Sequence, residues 1–386
     1  MYIPRIIEPY LLRIASEFPT VTILGPRQSG KTTLAQRLFP AYAYVNLELP
    51  DDRILAEEDP RSFLERYTPP VIIDEIQRVP NLLSYIQVAV DENRKSKGSY
   101  IFTGSHQTEL RSAISQSLAG RTAIVYLLPL SIAELRETGR LLDRDEYLFN
   151  GFMPELYEEE IDPTTYYRQY YRTYVERDIR QLANIKNLQQ FELFLRLLAG
   201  RIGQVMNMSD LANSTGMSVP TIKEWLNLLE ASFLTFRLPP YYKNFGKRLI
   251  KSPKIYFTEP GLASYLLGIR EPSHAADGPF LGPLFENLVV VEALKAQHNK
   301  GEDPNLYFYR DNSGLEADLM ADVFDRVHPV EIKASRTFSK QFFTELSRIK
   351  NISPQIDPGT VIYAGNLETP FKDMKALNFA HTSELF

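Results

Sequence analysis

The sequence predicts an α/β chain that begins with a parallel sheet and crossover helices, continues through a helical segment, and ends in a second α/β segment. Three observations carry this. Five short β-rich runs, at 21–25, 42–47, 71–74, 100–103 and 123–127, alternate with helical patterns, as a parallel sheet requires. The first run opens directly into GPRQSGKT, residues 25–32. From about residue 141 the strand pattern gives way to helical periodicity, and strands return in the last third.

The N-terminal stretch reads as an amphipathic helix, with Arg5, Glu8, Arg13 and Glu17 interrupting its apolar residues. No run approaches the ~18 apolar residues of a membrane span, so a soluble, cytoplasmic protein without membrane contact is expected. The 386 residues are 44 % apolar, enough to build two or three cores. There is no cysteine, which excludes a disulfide scaffold, a thiolate zinc site, an iron–sulfur cluster and a cysteine nucleophile. Against 43 basic residues stand 48 acidic ones, a formal charge of −5 that falls wholly in the last third. That balance argues against coating nucleic acid by bulk charge, while leaving room for a local basic patch.

Within GPRQSGKT the glycines, Gly25 and Gly30, let the loop Pro26-Arg27-Gln28-Ser29-Gly30 and the helix start at Lys31, Thr32 and Thr33 close around phosphates with the backbone N–H groups that every one of them but Pro26 carries. Lys31 reaches the β- and γ-phosphates, and the Thr32 hydroxyl ligates Mg2+. The run 71–74 ends in Asp74 and is followed by Glu75. Asp74 is placed to hold Mg2+ through water, and Glu75 to orient and deprotonate an attacking water. The fourth run ends in Thr103-Gly104-Ser105. Ser105, or Thr103, is a candidate γ-phosphate sensor, with a plain strand-end cap as the alternative. Arg121 is a candidate arginine finger or an ordinary structural arginine.

Further on, Ser209 and Ser218 read as N-caps of two helices joined through Gly216, a helix-turn-helix. Two strand-like runs at 234–242 and 253–259 follow, joined by a basic loop, in the manner of a winged helix. A Gly- and Pro-rich stretch at 271–283 marks a weaker boundary, giving expected domains 1–140, 141–272 and 273–386. The last comprises a helix, strands at 305–310, 316–320 and 328–334, another helix and a strand at 361–365.

The motifs GPRQSGKTTL, YVNLELPDDR, VIIDEIQRVPNLL, FTGS, SLAGR, GFMPE, YVERDI, KRLIKSPKIYF, LFENLVVVEAL, YRDNSGLEADL and HPVEIKAS occur in order along essentially the whole chain. In this the chain resembles a family of bacterial and archaeal AAA-type ATPases that carry a C-terminal domain of unknown function. The resemblance implies a P-loop NTPase domain with ATP and Mg2+ as cofactors, ATP hydrolysis, and a terminal domain with a restriction-endonuclease-like core.

Asp318, near a strand end, and the pair Glu331 and Lys333, on one face of a strand with Ile332 facing the other way, suit that core. Two carboxylates and a lysine converging there can bind Mg2+ and assist phosphodiester cleavage, with Glu286 as a further ligand; an exposed ion pair is the alternative. Between Glu230 and Glu259 no acid occurs, whereas Arg237, Lys243, Lys247, Arg248, Lys251 and Lys254 are interleaved with Tyr241, Tyr242 and Phe245. The patch, above all Lys243, Lys247, Arg248 and Lys251, reads as a DNA contact or as a docking surface for a protein. Lys223 and Asn227, on the second helix of the turn, are of the kind that reach base edges, while Trp225 and the leucines read as core. The five histidines show no ligand spacing, and the Tyr-rich stretch 166–174 reads as core packing. Two functions are expected of such a chain: an ATPase coupled to DNA binding and cleavage, or an ATP-dependent switch whose terminal domain binds without cutting.

Overall fold

The computed structural model describes residues 2–105, 114, 116–179, 187–241 and 251–386, with the side chains of 176–179 excepted. The chain divides into two compact units. The first comprises Met1–Leu130 with Ala231–Phe233 and His298–Glu302, and the second Ser131–Glu230, Leu234–Gln297 and Asp303–Phe386. No described helix is long and apolar enough to cross a membrane.

In the first unit β1 (Thr20–Leu24), β2 (Ala43–Asn46), β3 (Val71–Asp74), β4 (Tyr100–Gly104) and β5 (Thr122–Tyr126) form one sheet in the order β2-β3-β4-β1-β5. Every neighbouring pair is parallel. β1, β3 and β4 are buried along their whole length, which is why they read as continuous apolar runs instead of alternating ones. Val21, Ile23, Ile72, Ile101 and Val125 pack with Leu34 and with Ile7, Leu11 and Ile14 of the N-terminal helix Glu8–Glu17 into one core. Because all five strands run the same way, their C-terminal ends share an edge, with Leu24 opposite Gly104 in register. β4 lies between β1 and β3, so the polar residues closing β4 stand between the loop after β1 and the acids closing β3.

In the second unit the helices Met208–Thr215 and Val219–Ala231 flank Gly216, which takes φ +68°. Ser218 Oγ accepts from the Thr221 N–H at 3.2 Å, as expected. The first helix, however, is capped by Asn207, whose side chain accepts from Asp210 N; Ser209 lies inside the helix. An amide acceptor two residues earlier satisfies the same backbone donors, and Asn and Ser cap about equally well. An antiparallel pair, β6 (Thr235–Leu238) and β7 (Lys254–Phe257), follows.

The remaining strands are β8 (Leu306–Arg310), β9 (Glu316–Val323), β10 (Arg326–Lys333), β11 (Thr360–Tyr363), β12 (Thr369–Phe371) and β13 (Met374–Asn378). They form a mixed sheet in the order β12-β13-β11-β10-β9-β8, antiparallel from β8 to β10 and parallel from β10 through β11 to β13.

By contacts, the stretches on either side of residue 272 belong to the same compact unit. Beyond β6 the backbone runs onto the free edge of β8: Tyr241 N donates to Phe308 O at 2.8 Å and Phe308 N to Pro239 O at 3.0 Å. An open edge strand recruits backbone in this way. The division between the two compact units follows Leu130.

The tyrosine-rich stretch packs inward: Tyr166, Tyr167, Tyr170, Tyr171 and Tyr174 are all buried. Tyr167 donates to Glu259 Oε1 at 2.9 Å, and that same oxygen accepts from Phe152 N and Gly261 N. Gly151 turns the chain beside this carboxylate with φ +66°, and a Cβ there would overlap Glu259 and the Tyr167 hydroxyl. Gly151→Ala should therefore lose roughly 2–4 kcal/mol, combining left-handed strain with overpacking. Gly268→Ala, at φ +80° with open space around it, should lose only the strain share. Urea unfolding of the two variants checks the difference.

Candidate functional site

The loop after β1 enters the helix Lys31–Leu38 through Gly30, at φ +90° and ψ +17°. Gly25 has no room for a side chain, since a Cβ would run into the Leu127 carbonyl. Pro26 and Ser29 are buried, Arg27 is half-buried, and Gln28 and Thr33 are exposed. Ser29 Oγ donates to Pro26 O at 3.0 Å.

A residue with no sequence signature steadies this loop from below. Buried Arg5 donates through Nη1 to Ser29 O at 3.0 Å and through Nη2 to Leu128 O at 2.7 Å. One guanidinium thus fastens the loop to the segment after β5 with charge-assisted hydrogen bonds.

Lys31 is 5 % exposed and donates to Pro26 O at 2.7 Å. Burial pulls its pKa down to about 8, against the opposing influence of Glu75 and Asp74. Asp74 is the meeting point of three elements. Thr32 Oγ1 lies 2.9 and 3.1 Å from its two oxygens, Tyr44 of β2 donates to Oδ2 at 2.9 Å, and Thr103 of β4 donates to Oδ1. The tie from Thr32 to Asp74 joins the residue types and positions that carry Mg2+ in a P-loop site.

Glu75 follows in a left-handed conformation, φ +56° and ψ +44°, a strain of about 1–3 kcal/mol that its surroundings must hold. Its N–H donates to Thr103 Oγ1 at 3.2 Å. Its Oε2 accepts from Gln77 Nε2 and from Ser105 Oγ, the latter at 3.2 Å. Ser105 thus stands at Glu75 and Thr103 at Asp74. Tyr44 and Gln77 were not singled out in the sequence; Gln77, two positions past Glu75, was the one with a positional hint.

The structure places Arg121 elsewhere. Its guanidinium forms a two-pronged pair with Asp91, at 2.9 and 2.8 Å, and its carbonyl accepts from Thr20 N at the start of β1. It lies a strand's length, roughly 13 Å, from the loop of its own chain.

In the second unit Glu286, on the helix Leu281–Asn299, converges with Asp318 of β9 and Glu331 and Lys333 of β10. Lys333 pairs with Glu331, as their common face predicts, and Asp318 Oδ2 accepts from the Ile332 N–H at 2.8 Å. A further cation enters from β7. Lys254, 2 % exposed, lies 2.9 Å from Glu286 and 2.8 Å from Glu316, and Tyr256 donates to Glu286 at 2.6 Å.

Burial pushes Glu286 up to about 7 despite Lys254, and burial with Asp318 pushes Glu331 up to about 8 despite Lys333. Burial alone would depress Lys254, but Glu286, Asp318 and Glu316 outweigh it and hold the ammonium above the ordinary lysine range. Among the described residues no group of three or more His, Cys, Asp or Glu is arranged to hold a metal ion.

The basic patch is smaller than its sequence. Lys254 is spent on the carboxylates, Arg237 pairs with Glu230 at 2.7 Å, and Tyr241 is buried. Lys251 is exposed, while Lys243, Lys247 and Arg248, with Tyr242 and Phe245, lie outside the described residues. Lys223 and Asn227 are exposed, and Trp225 packs on Phe191 and Phe194.

Comparison with protein families matches residues 17–136 to an AAA domain, 141–273 to a domain of unknown function, DUF8612, and 281–381 to another, DUF4143. The chain is 30 % identical over 370 residues to uncharacterized protein Rv2008c of Mycobacterium tuberculosis, across 94 % of this chain and 80 % of that one. An uncharacterized protein of Haemophilus influenzae is 25 % identical over 311 residues, across 71 % and 74 %. A Walker-type ATPase of Pyrococcus abyssi shares 14 % identity at a TM-score of 0.45, over 67 % of this chain and 94 % of that one. The chain belongs to the family of the mycobacterial protein, and its first unit carries an AAA-type, nucleotide-binding P-loop domain.

A triphosphate arriving at Lys31 favours the charged ammonium, so binding at pH 8 should take up as much as about half a proton, and none at pH 6. Calorimetry in buffers of different ionisation enthalpy measures the uptake. Lys31→Arg, always protonated, should abolish it.

Proposed function

We propose that the chain is a Mg2+-dependent ATPase whose hydrolysis is coupled to a second unit that contacts DNA. The observation that carries the first half is the junction of Thr32, Asp74 and Thr103 with Glu75 beside it. The donor set fits the metal: one hydroxyl and one carboxylate leave most of an octahedral shell to water and phosphate oxygens, which is how Mg2+ prefers to be held. When bound, Mg2+ neutralises charge on the phosphates. The loop amides and Lys31 hold the phosphates, Thr32 and Asp74 hold the metal side, and Glu75 takes the proton of the attacking water. Ser105 and Thr103 keep the two acids in place. Arg121, remote from its own loop, is left to act on a neighbouring chain's nucleotide or as a structural arginine.

The helix-turn-helix followed by the pair β6 and β7 supports a winged helix. The sequence of helix, three antiparallel strands, helix and parallel strand supports a restriction-endonuclease-like core. The basic residues Lys243, Lys247, Arg248 and Lys251 are the proposed DNA contact, through phosphates.

A specific observation favours the second reading of this unit, a module that binds without cutting. Glu286, Asp318 and Glu331 fit Mg2+ poorly as they stand, because the Lys254 and Lys333 ammonium groups and the Ile332 N–H each take one oxygen of a carboxylate and two cations already stand in the cluster. Two lysines here do the neutralising that a metal would do.

The wild type should hydrolyse ATP, faster with DNA present, while Glu75→Gln retains binding and loses at least about a hundredfold in turnover. Hydrolysis indifferent to duplex and single-stranded DNA would leave a protein as the partner. Nicking of DNA in Mg2+ or Mn2+ that disappears in Glu331→Ala would restore cleavage to the unit.

A further inference from the structure

Gln77 is a group at Glu75 that this scheme leaves without a task. It sits in the short turn Ile76–Arg78, directly after the strained Glu75. Its Nε2 donates to Glu75 Oε2 and lies 3.2 Å from Ser105 Oγ. A carboxylate has only acceptors, so the amide must turn its NH2 toward Glu75 and its carbonyl away; the orientation follows from the chemistry of the pair. That carbonyl, Gln77 Oε1, is buried and finds no hydrogen-bond partner among the described residues, a cost that the hold on Glu75 must offset.

We propose that Gln77 is a positioning residue for the hydrolytic water. Its Nε2, with Ser105, fixes one oxygen of Glu75, which leaves the other oxygen of that carboxylate as the base. Gln77 thus acts on the water through Glu75, by holding the base in place. In the step itself the water oxygen bonds to the γ-phosphorus, one proton passes to Glu75, and the bond from phosphorus to the bridging oxygen breaks with its electron pair leaving on ADP. A carboxylate with one oxygen tied by two donors presents its other oxygen to the water in one orientation, where an untied carboxylate can rotate. The inference rests on the ATPase reading given above.

The test compares Gln77→Leu and Gln77→Glu with the wild type, reading kcat, KM, equilibrium affinity for ATP and the pH dependence of turnover. Gln77→Leu removes both amide functions and should lower kcat about tenfold or more while leaving ATP affinity within about twofold. Gln77→Glu keeps the shape but sets a carboxylate against Glu75. The two then share a proton, and the rising limb of the pH profile should move up by about one unit or more.

A residue that merely packs would move neither the kcat-to-KM split nor the pH profile. Turnover by Gln77→Leu within about twofold of wild type would overturn the proposal. So would a pH profile of Gln77→Glu that superimposes on the wild type, and this second variant, nearly identical in shape, keeps the test alive if the leucine disturbs folding. No hydrolysis by the wild type would instead remove the ATPase reading itself.

Discussion

The first unit depends on what surrounds one carboxylate, Asp74. It ends β3 and touches the Thr32 hydroxyl from the helix that follows the loop after β1, the Thr103 hydroxyl from β4 and the Tyr44 hydroxyl from β2. These groups meet only because β4 is inserted between β1 and β3 in an all-parallel sheet, so that three strand ends and one loop face the same edge. A carboxylate at such a place, ringed by hydroxyl donors, has its lone pairs satisfied. Thr103 does double duty, holding Asp74 and accepting from the Glu75 N–H, and so transmits the order of the sheet to the residue that would act on water.

The second unit solves the opposite problem, a surplus of buried negative charge. Glu286, Asp318, Glu331 and Glu316 are drawn together by a helix and two antiparallel strands, and each carboxylate buried without a counter-charge is expensive. Lys254 and Lys333 relieve the cost in part, and the upward drift of Glu286 and Glu331 relieves more by making protonation easier. Lys254 comes from β7, ahead of the helix and sheet that supply the acids, so the ion cluster joins two stretches of chain that composition alone would have kept as separate domains. The backbone of 239–241 on the edge of β8 makes the same join through hydrogen bonds.

Much of this was legible in the sequence for identifiable reasons. Strands buried on both faces show as unbroken apolar runs, which is why β1, β3 and β4 stand out in the sequence; β2 and β5, only partly buried, show through their β-branched and aromatic residues. Their polar punctuation, Lys31, Thr32, Asp74, Glu75, Thr103 and Ser105, falls at strand and helix ends where function needs it.

What failed to show were partnerships across distance. Nothing in the local pattern of Arg5 or Lys254 says that each is buried against groups far along the chain. Edge strand β12 has only three residues, Pro370 among them, and β13 (MKALN) has no β-branched or aromatic residue, so neither registers as a strand. Arg121 was open to a better reading, since it immediately precedes β5, and a parallel sheet puts strand beginnings on the edge opposite the phosphate loop. The most direct test of the account is the dependence of ATP affinity on Mg2+ in the wild type and in Asp74→Asn. The account predicts that Mg2+ tightens ATP binding to the wild type and that this gain vanishes in the variant, whose binding in EDTA is unchanged. An equal gain from Mg2+ in both proteins would contradict it.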